Sequence, residues 1–225
     1  MSWTDVWQWL RGSSVELVEP IADPVHHTIL IVEIDGFAAV DRTNMHRLTL
    51  RAGLYDVMQR ALAASGVSWL GCYRADLGDG VLVLVPASYP KAVFSELVPA
   101  ALTTFLADHN GLHRLPERIR LRAALHAGEV SYDAHGRTGA AIVHAFRLLH
   151  SVMLKDALAA AEGELAVIAS AWFYDEIIRH SPVSRPERYR PVFVQEKETA
   201  AQGWVRLLGP GEEEDVGRVD GLAMG

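Results

Sequence analysis

Apolar residues recur along this chain in two different periods, and the changes of period mark out its elements. Residues 27–34, HTILIVEI, form a continuous apolar run rich in Ile and Val, the pattern of a buried strand. In residues 43–64 the apolar positions Leu50, Leu54, Val57, Met58, Ala61 and Leu62 follow helical spacing. VSWLGCYRA (67–75) and GVLVLVP (80–86) predict two strands joined through the tight LGDG segment, hence a hairpin. Residues 90–109 predict a second helix entered through Pro90. Residues 119–131 begin with strict alternation and predict a long strand, and 139–161 predict one long apolar helix. LAVIAS (165–170) is a short strand, residues 171–180 a short helix, and 189–198 with 203–208 a closing antiparallel pair. The order β-α-β-β-α-β followed by additions predicts an α+β fold, a ferredoxin-like sandwich with peripheral strands.

The two ends differ from this body, which spans 26–208. Residues 1–25 hold Trp3, Trp7 and Trp9 in a helix-like stretch closed by Gly12, with Pro20 and Pro24 marking a linker. Trp3 and Trp7 share a face, suited to packing on the body or a second subunit, or to docking on a partner or membrane surface. Residues 209–225 are Gly-rich and acidic, the composition of a disordered tail.

Composition narrows the function classes. The 225 residues include 21 Lys+Arg, 28 Asp+Glu, 10 His and a single Cys. One cysteine excludes an internal disulfide framework, and no Cys/His group has zinc spacing. No apolar run approaches the roughly 18 residues of a membrane span. The N-terminus lacks a basic region followed by an apolar stretch, so a cytoplasmic location is expected. A formal charge of −7 argues against nucleic acid as a partner. It also means that any anionic substrate would need local cations, either metal ions or a few placed arginines.

Three segments carry candidate chemistry. Glu33-Ile34-Asp35-Gly36-Phe37 ends the first strand, and Gly78-Asp79-Gly80 lies in the hairpin. In a ferredoxin-like sheet the first and third strands are neighbours, so these carboxylates come close together. Paired carboxylates beside glycines suit Mg²⁺ or Mn²⁺ and a close approach of phosphate. Asp79 read alone is more readily an ordinary turn residue, and Asp35 and Asp76 are further carboxylates nearby. The third segment runs Arg122-Ala-Ala-Leu-His126-Ala-Gly-Glu-Val130 and leads into Gly139-Ala-Ala-Ile-Val143-His-Ala-Phe-Arg147-Leu. Among other candidates, His126 reads as a packed core residue and Cys72 as an inert buried thiol. His109/His113 read as a solvated i,i+4 pair, and Arg185, Arg188 and Arg190 as a small basic loop, solvated or paired.

In this order the segments resemble a class III nucleotidyl cyclase catalytic domain. That family has a strand with D-I-x-G-F, a hairpin with G-D, a strand with R-x-G-(I/L)-H-x-G-x-V, and then G-x-x-V-N-x-A-x-R. The similarity spans roughly residues 27–180 and is nearest to the divergent cyclase-homology domains of actinobacteria. The resemblance implies two Mg²⁺ or Mn²⁺ ions held by Glu33, Asp79 and the Ile34 carbonyl. It implies Arg122 on the phosphates and Arg147 on the transition state, with Gly36, Phe37, Gly78, Arg74 and Val143 lining the nucleotide. It further implies a head-to-tail homodimer with composite sites and conversion of a nucleoside triphosphate to a cyclic nucleotide and pyrophosphate, with a pyrimidine nucleotide in antiphage signalling as one form. The chain also departs from the pattern. Glu33 replaces the family's aspartate, Val143 its ribose-orienting asparagine, and Ala75, next to Arg74, its purine-selecting lysine. These departures imply the contrasting expectation of a degenerate domain kept for dimerisation or nucleotide sensing.

Overall fold

A computed structural model describes residues 22–209 of the chain. The Trp-rich segment at 1–21 and the tail from 210 lie outside the described residues. Eight strands form one sheet: β1 (Ala22–Ile34), β2 (Tyr73–Asp76), β3 (Gly80–Pro86), β4 (Leu121–Asp133), β5 (Gly136–Thr138), β6 (Leu165–Ser170), β7 (Arg190–Glu196) and β8 (Thr199–Leu208). Their order is β2-β3-β1-β4-β6-β8-β7, with β5 paired to β4 alone. The first four strands are thus the ferredoxin-like set, and β6, β8 and β7 extend it beyond β4. β4 pairs with β6 in parallel and every other pair is antiparallel.

Strand alternation divides the core into two layers. Leu30, Val32 and Ile34 point to one face, against α1 (Asn44–Ala64), α2 (Val93–Glu96) and α3 (Val98–Leu112). Ile29 and Ile31 point to the other, against α4 (Ala140–His150) and α5 (Val152–Ala160). A strand buried on both faces has no reason to alternate, so 27–34 is apolar throughout. In α1 all six residues of the sequence stripe are buried. Its start is fixed by a capping box in which Thr43 Oγ1 accepts from His46 N–H and His46 Nδ1 accepts from Thr43 N–H.

Several elements depart from the sequence reading for local reasons. Residues 67–72 are not strand: Ser68 Oγ accepts from Gly71 N–H at 3.2 Å and closes a 3₁₀ turn over Trp69–Gly71. The helix expected at 90–109 is α2 followed by α3, and that expected at 171–180 is α6 (Ala171–Glu176) plus a 3₁₀ turn. The helix at 139–161 breaks at Ser151, whose extended backbone and Oγ, accepting from Leu154 N–H, end α4 and start α5. Pro24 falls inside β1, not in a linker, where the register shifts between Ala22 and Val25. The short β5 carried no periodic signal.

His126 is packed in the sheet as read, with Nδ1 2.8 Å from Ser170 Oγ and its ring 4.8 Å from that of His144. Burial, helped by the neighbouring His144, pushes its imidazole down to about 4. The unfolded chain, with a value near ~6.5, therefore takes up this proton first. Its contribution to stability is intact above about pH 6.5 and is lost as pH falls toward 4. Denaturation measured between pH 7.5 and 4.5 should show stability falling, by some fraction of the ~1.4 kcal/mol per pH unit of a full proton. His126→Gln should flatten that slope; an unchanged slope would remove His126 as a cause.

Candidate functional site

The register of three adjacent strands builds the site. Glu33 on β1 stands opposite Gly80 on β3 and Arg122 on β4. Alternation puts Glu33 and Arg122 on the face covered by α4. Gly80 has to be glycine, because a Cβ there would lie 2.3 Å from the Val32 carbonyl oxygen and 2.7 Å from Glu33 Cγ. The Glu33 side chain crosses the space that any other residue at position 80 would fill.

Glu33 is 6% exposed and Arg122 8%, so both charges are buried. Arg122 Nη2 donates to Glu33 Oε2 at 3.4 Å. The other oxygen, Oε1, lies 2.9 Å from His150 Nε2 at the last residue of α4. The break at Ser151 is what leaves His150 at the helix end, free to turn back onto the sheet. Arg122 also donates through Nη1 to the Leu149 carbonyl at 3.3 Å, satisfying a carbonyl in the last turn of α4. Its Nε lies 3.4 Å from Asp35 Oδ1, yet this nitrogen is buried without a hydrogen-bond partner. Arg122 is thereby held by two carboxylates and the negative end of a helix dipole.

The hairpin side of the site is more open. The Asp79 carbonyl accepts from Ile34 N–H at 2.9 Å, which seats the hairpin against the end of β1. The half-exposed Asp79 carboxylate makes no hydrogen bond or ion pair among the described residues. Asp76 is spent on Arg51, which it grips with both oxygens, and Arg51 also reaches the Gly78 carbonyl. The Arg51 guanidinium, together with Gly78 N–H, holds the Asp76 carboxyl down at about 2. Gly78 and Gly36 both take left-handed backbone, with φ of 89° and 64°. Phe37 packs on the core beneath α1.

The remaining sequence candidates sit apart from this centre. Arg147 pairs with Glu198 at 3.1 Å, at the tip of the β7–β8 hairpin. Arg74 donates to the Trp69 carbonyl and to the Cys72 carbonyl and lies over the Trp69 ring, so it is tied to its own turn. Val143 is 50% exposed on α4. His150 is the site residue that the sequence did not single out. Its only signal was its place three residues after Arg147 on one helix.

Two divalent ions, which the resemblance implies, do not fit this donor set. Glu33 has both oxygens turned to basic groups, Arg122 and His150, and the buried guanidinium would repel a dication beside it. Among the described residues no three His, Cys, Asp or Glu side chains gather into a group that could hold a metal ion.

No protein-family model and no curated protein matches this sequence. Solved structures do match. The guanylyl cyclase Cya2 is 16% identical over 87% of this chain and 98% of its own, with a TM-score of 0.59. An adenylate/guanylate cyclase/hydrolase from Silicibacter pomeroyi is 17% identical over 83% and 98%, with a TM-score of 0.58. The guanylate cyclase domain of RhGC from Catenaria anguillulae, solved with GTP, is 14% identical over 81% and 97%, with a TM-score of 0.54. The eight-stranded α+β fold is thus the fold of adenylate/guanylate cyclase catalytic domains. No helix of the described residues is long and apolar enough to cross a membrane.

Proposed function

We propose that this chain is a cyclase-homology module that associates with a second copy of itself and does not cyclise nucleotides. One observation carries the reading: Glu33, at the position of a metal-binding aspartate, is closed off by Arg122 and His150. Cyclisation by two ions needs free carboxylate oxygens to clamp the attacking and leaving groups. Arg122, at the phosphate-binding position, is engaged by the same carboxylate. Val143 supports the pairing half of the proposal. An exposed valine cannot hydrogen-bond a ribose, but it suits an apolar contact between copies.

The opposite reading, an active nucleotidyl cyclase, is favoured by Asp79, whose carboxylate is unpaired among the described residues, and by the presence of Arg147. Incubation with each of the four nucleoside triphosphates and Mn²⁺ separates the two. The expected result is no cyclic product or pyrophosphate above a no-protein control, with sedimentation showing a dimer that Val143→Asp weakens. Cyclic product lost in both Asp79→Ala and Arg147→Ala would establish the cyclase reading. A chain that stays monomeric at every concentration would overturn the pairing.

A further inference from the structure

The sheet ends on β7. This strand pairs with β8 alone, and no strand of the described residues lies on its outer side. An edge of that kind presents a row of backbone N–H and C=O groups to any further strand, and Pro191 removes at most one donor from the row. The opposite edge, β2, has only 4 residues, whereas β7 has 7. Proteins blunt exposed edges with short strands or central charges. The centre of β7 is instead apolar, Val192-Phe193-Val194. Alternation sends Val194 into the core and leaves Phe193, the middle residue, 64% exposed.

The two ends of the strand carry opposite charges. β7 begins at Arg190 and ends at Glu196, and Phe193 stands midway between them. Neither charged group makes a hydrogen bond or ion pair among the described residues. A period of 2 puts both on the same face of the sheet. Now let a second β7 lie antiparallel alongside, related by a two-fold axis through Phe193. Arg190 of each copy then stands opposite Glu196 of the other, and the two Phe193 rings meet on the axis. A slip of one residue breaks both charge pairs. The exposed edge is thus complementary to itself, in charge and in apolar surface, in a single register.

We propose that two copies of this chain join edge to edge through β7, antiparallel about Phe193, into one continuous sheet. This rests on the self-association proposed above and adds the strand that carries it. Sedimentation of charge-swapped full-length chains tests it. Arg190→Glu and Glu196→Arg each set like charges opposite in two pairs and should weaken the dimer about tenfold. The double variant restores both pairs and should recover the wild-type affinity. Residues that meet on the axis have Cα atoms about 4.5–5.5 Å apart, within disulfide range. In a Cys72→Ala background, Phe193→Cys should therefore oxidise to a covalent dimer. Gln195→Cys should not, because its two copies stand about 13 Å apart along the strand. A double variant no better than the single ones, or equal cross-linking at 193 and 195, would overturn the edge pairing. If the wild type still dimerises in that case, self-association stands and only its surface is wrong. A wild type that is monomeric at every concentration would overturn both.

Discussion

Arg122→Ala is expected to destabilise the folded chain by about 3 kcal/mol, read as a lower denaturant midpoint with an unchanged slope. The guanidinium is buried, and it meets Glu33, Asp35 and the Leu149 carbonyl at once. Removing it leaves the buried Glu33 carboxylate with only the His150 imidazole. The cost then comes chiefly from a poorly compensated buried charge. The favourable energy of the ion pair itself is a smaller part, because desolvating two charges offsets most of their attraction. That account makes a second, opposite prediction. Glu33→Leu combined with Arg122→Met keeps the volume and removes both charges, so it should be near neutral or stabilising. If the double variant is as unstable as Arg122→Ala, the charge argument fails and the loss is one of packing.

Gly80→Ala is expected to cost up to about 3 kcal/mol, the upper end of overpacking effects. The added Cβ would meet the Val32 carbonyl oxygen, a backbone atom that cannot rotate away. Relief requires β3 to move off β1, which strains the Ile34 N–H to Asp79 carbonyl hydrogen bond and shifts the hairpin. Hydrogen exchange should therefore show early loss of protection at Ile34. Gly78→Ala is the control: nothing lies within 4 Å of a Cβ there, so only its positive φ is penalised, by about 1–2 kcal/mol. Equal losses in the two variants would mean that backbone conformation, not the contact with β1, sets the requirement for glycine at 80.

The central strands and the first helix were legible in the sequence because each must bury a face, and burial imposes a period on neighbouring residues. The apolar run at 27–34 and the stripe from Leu50 to Leu62 are cases where the periodic residues are the buried ones. Where side chains cap backbone groups, the period says little. Ser68 and Ser151 each redirect the chain by one local hydrogen bond, and both lie inside apolar stretches that read as continuous strand or helix.

The candidate site shows the same division. Glu33 and Asp79 stood out as carboxylates at the end of an apolar strand and between glycines, whereas Arg122 was singled out through the resemblance to nucleotidyl cyclases. Their neighbours follow from strand order, so the approach of Glu33 to the hairpin was implied once the fold was. The state of Glu33 was not. His150 lies 117 positions from it and Arg122 lies 89 positions away, and which cation meets which oxygen depends on register and on where α4 ends. The sequence by itself determined the main strands and helices and the segments that carry chemistry, because those follow from local periods and residue types. Only the tertiary structure decided that these charges neutralise one another, because pairing is a matter of distance between segments and burial makes that pairing obligatory.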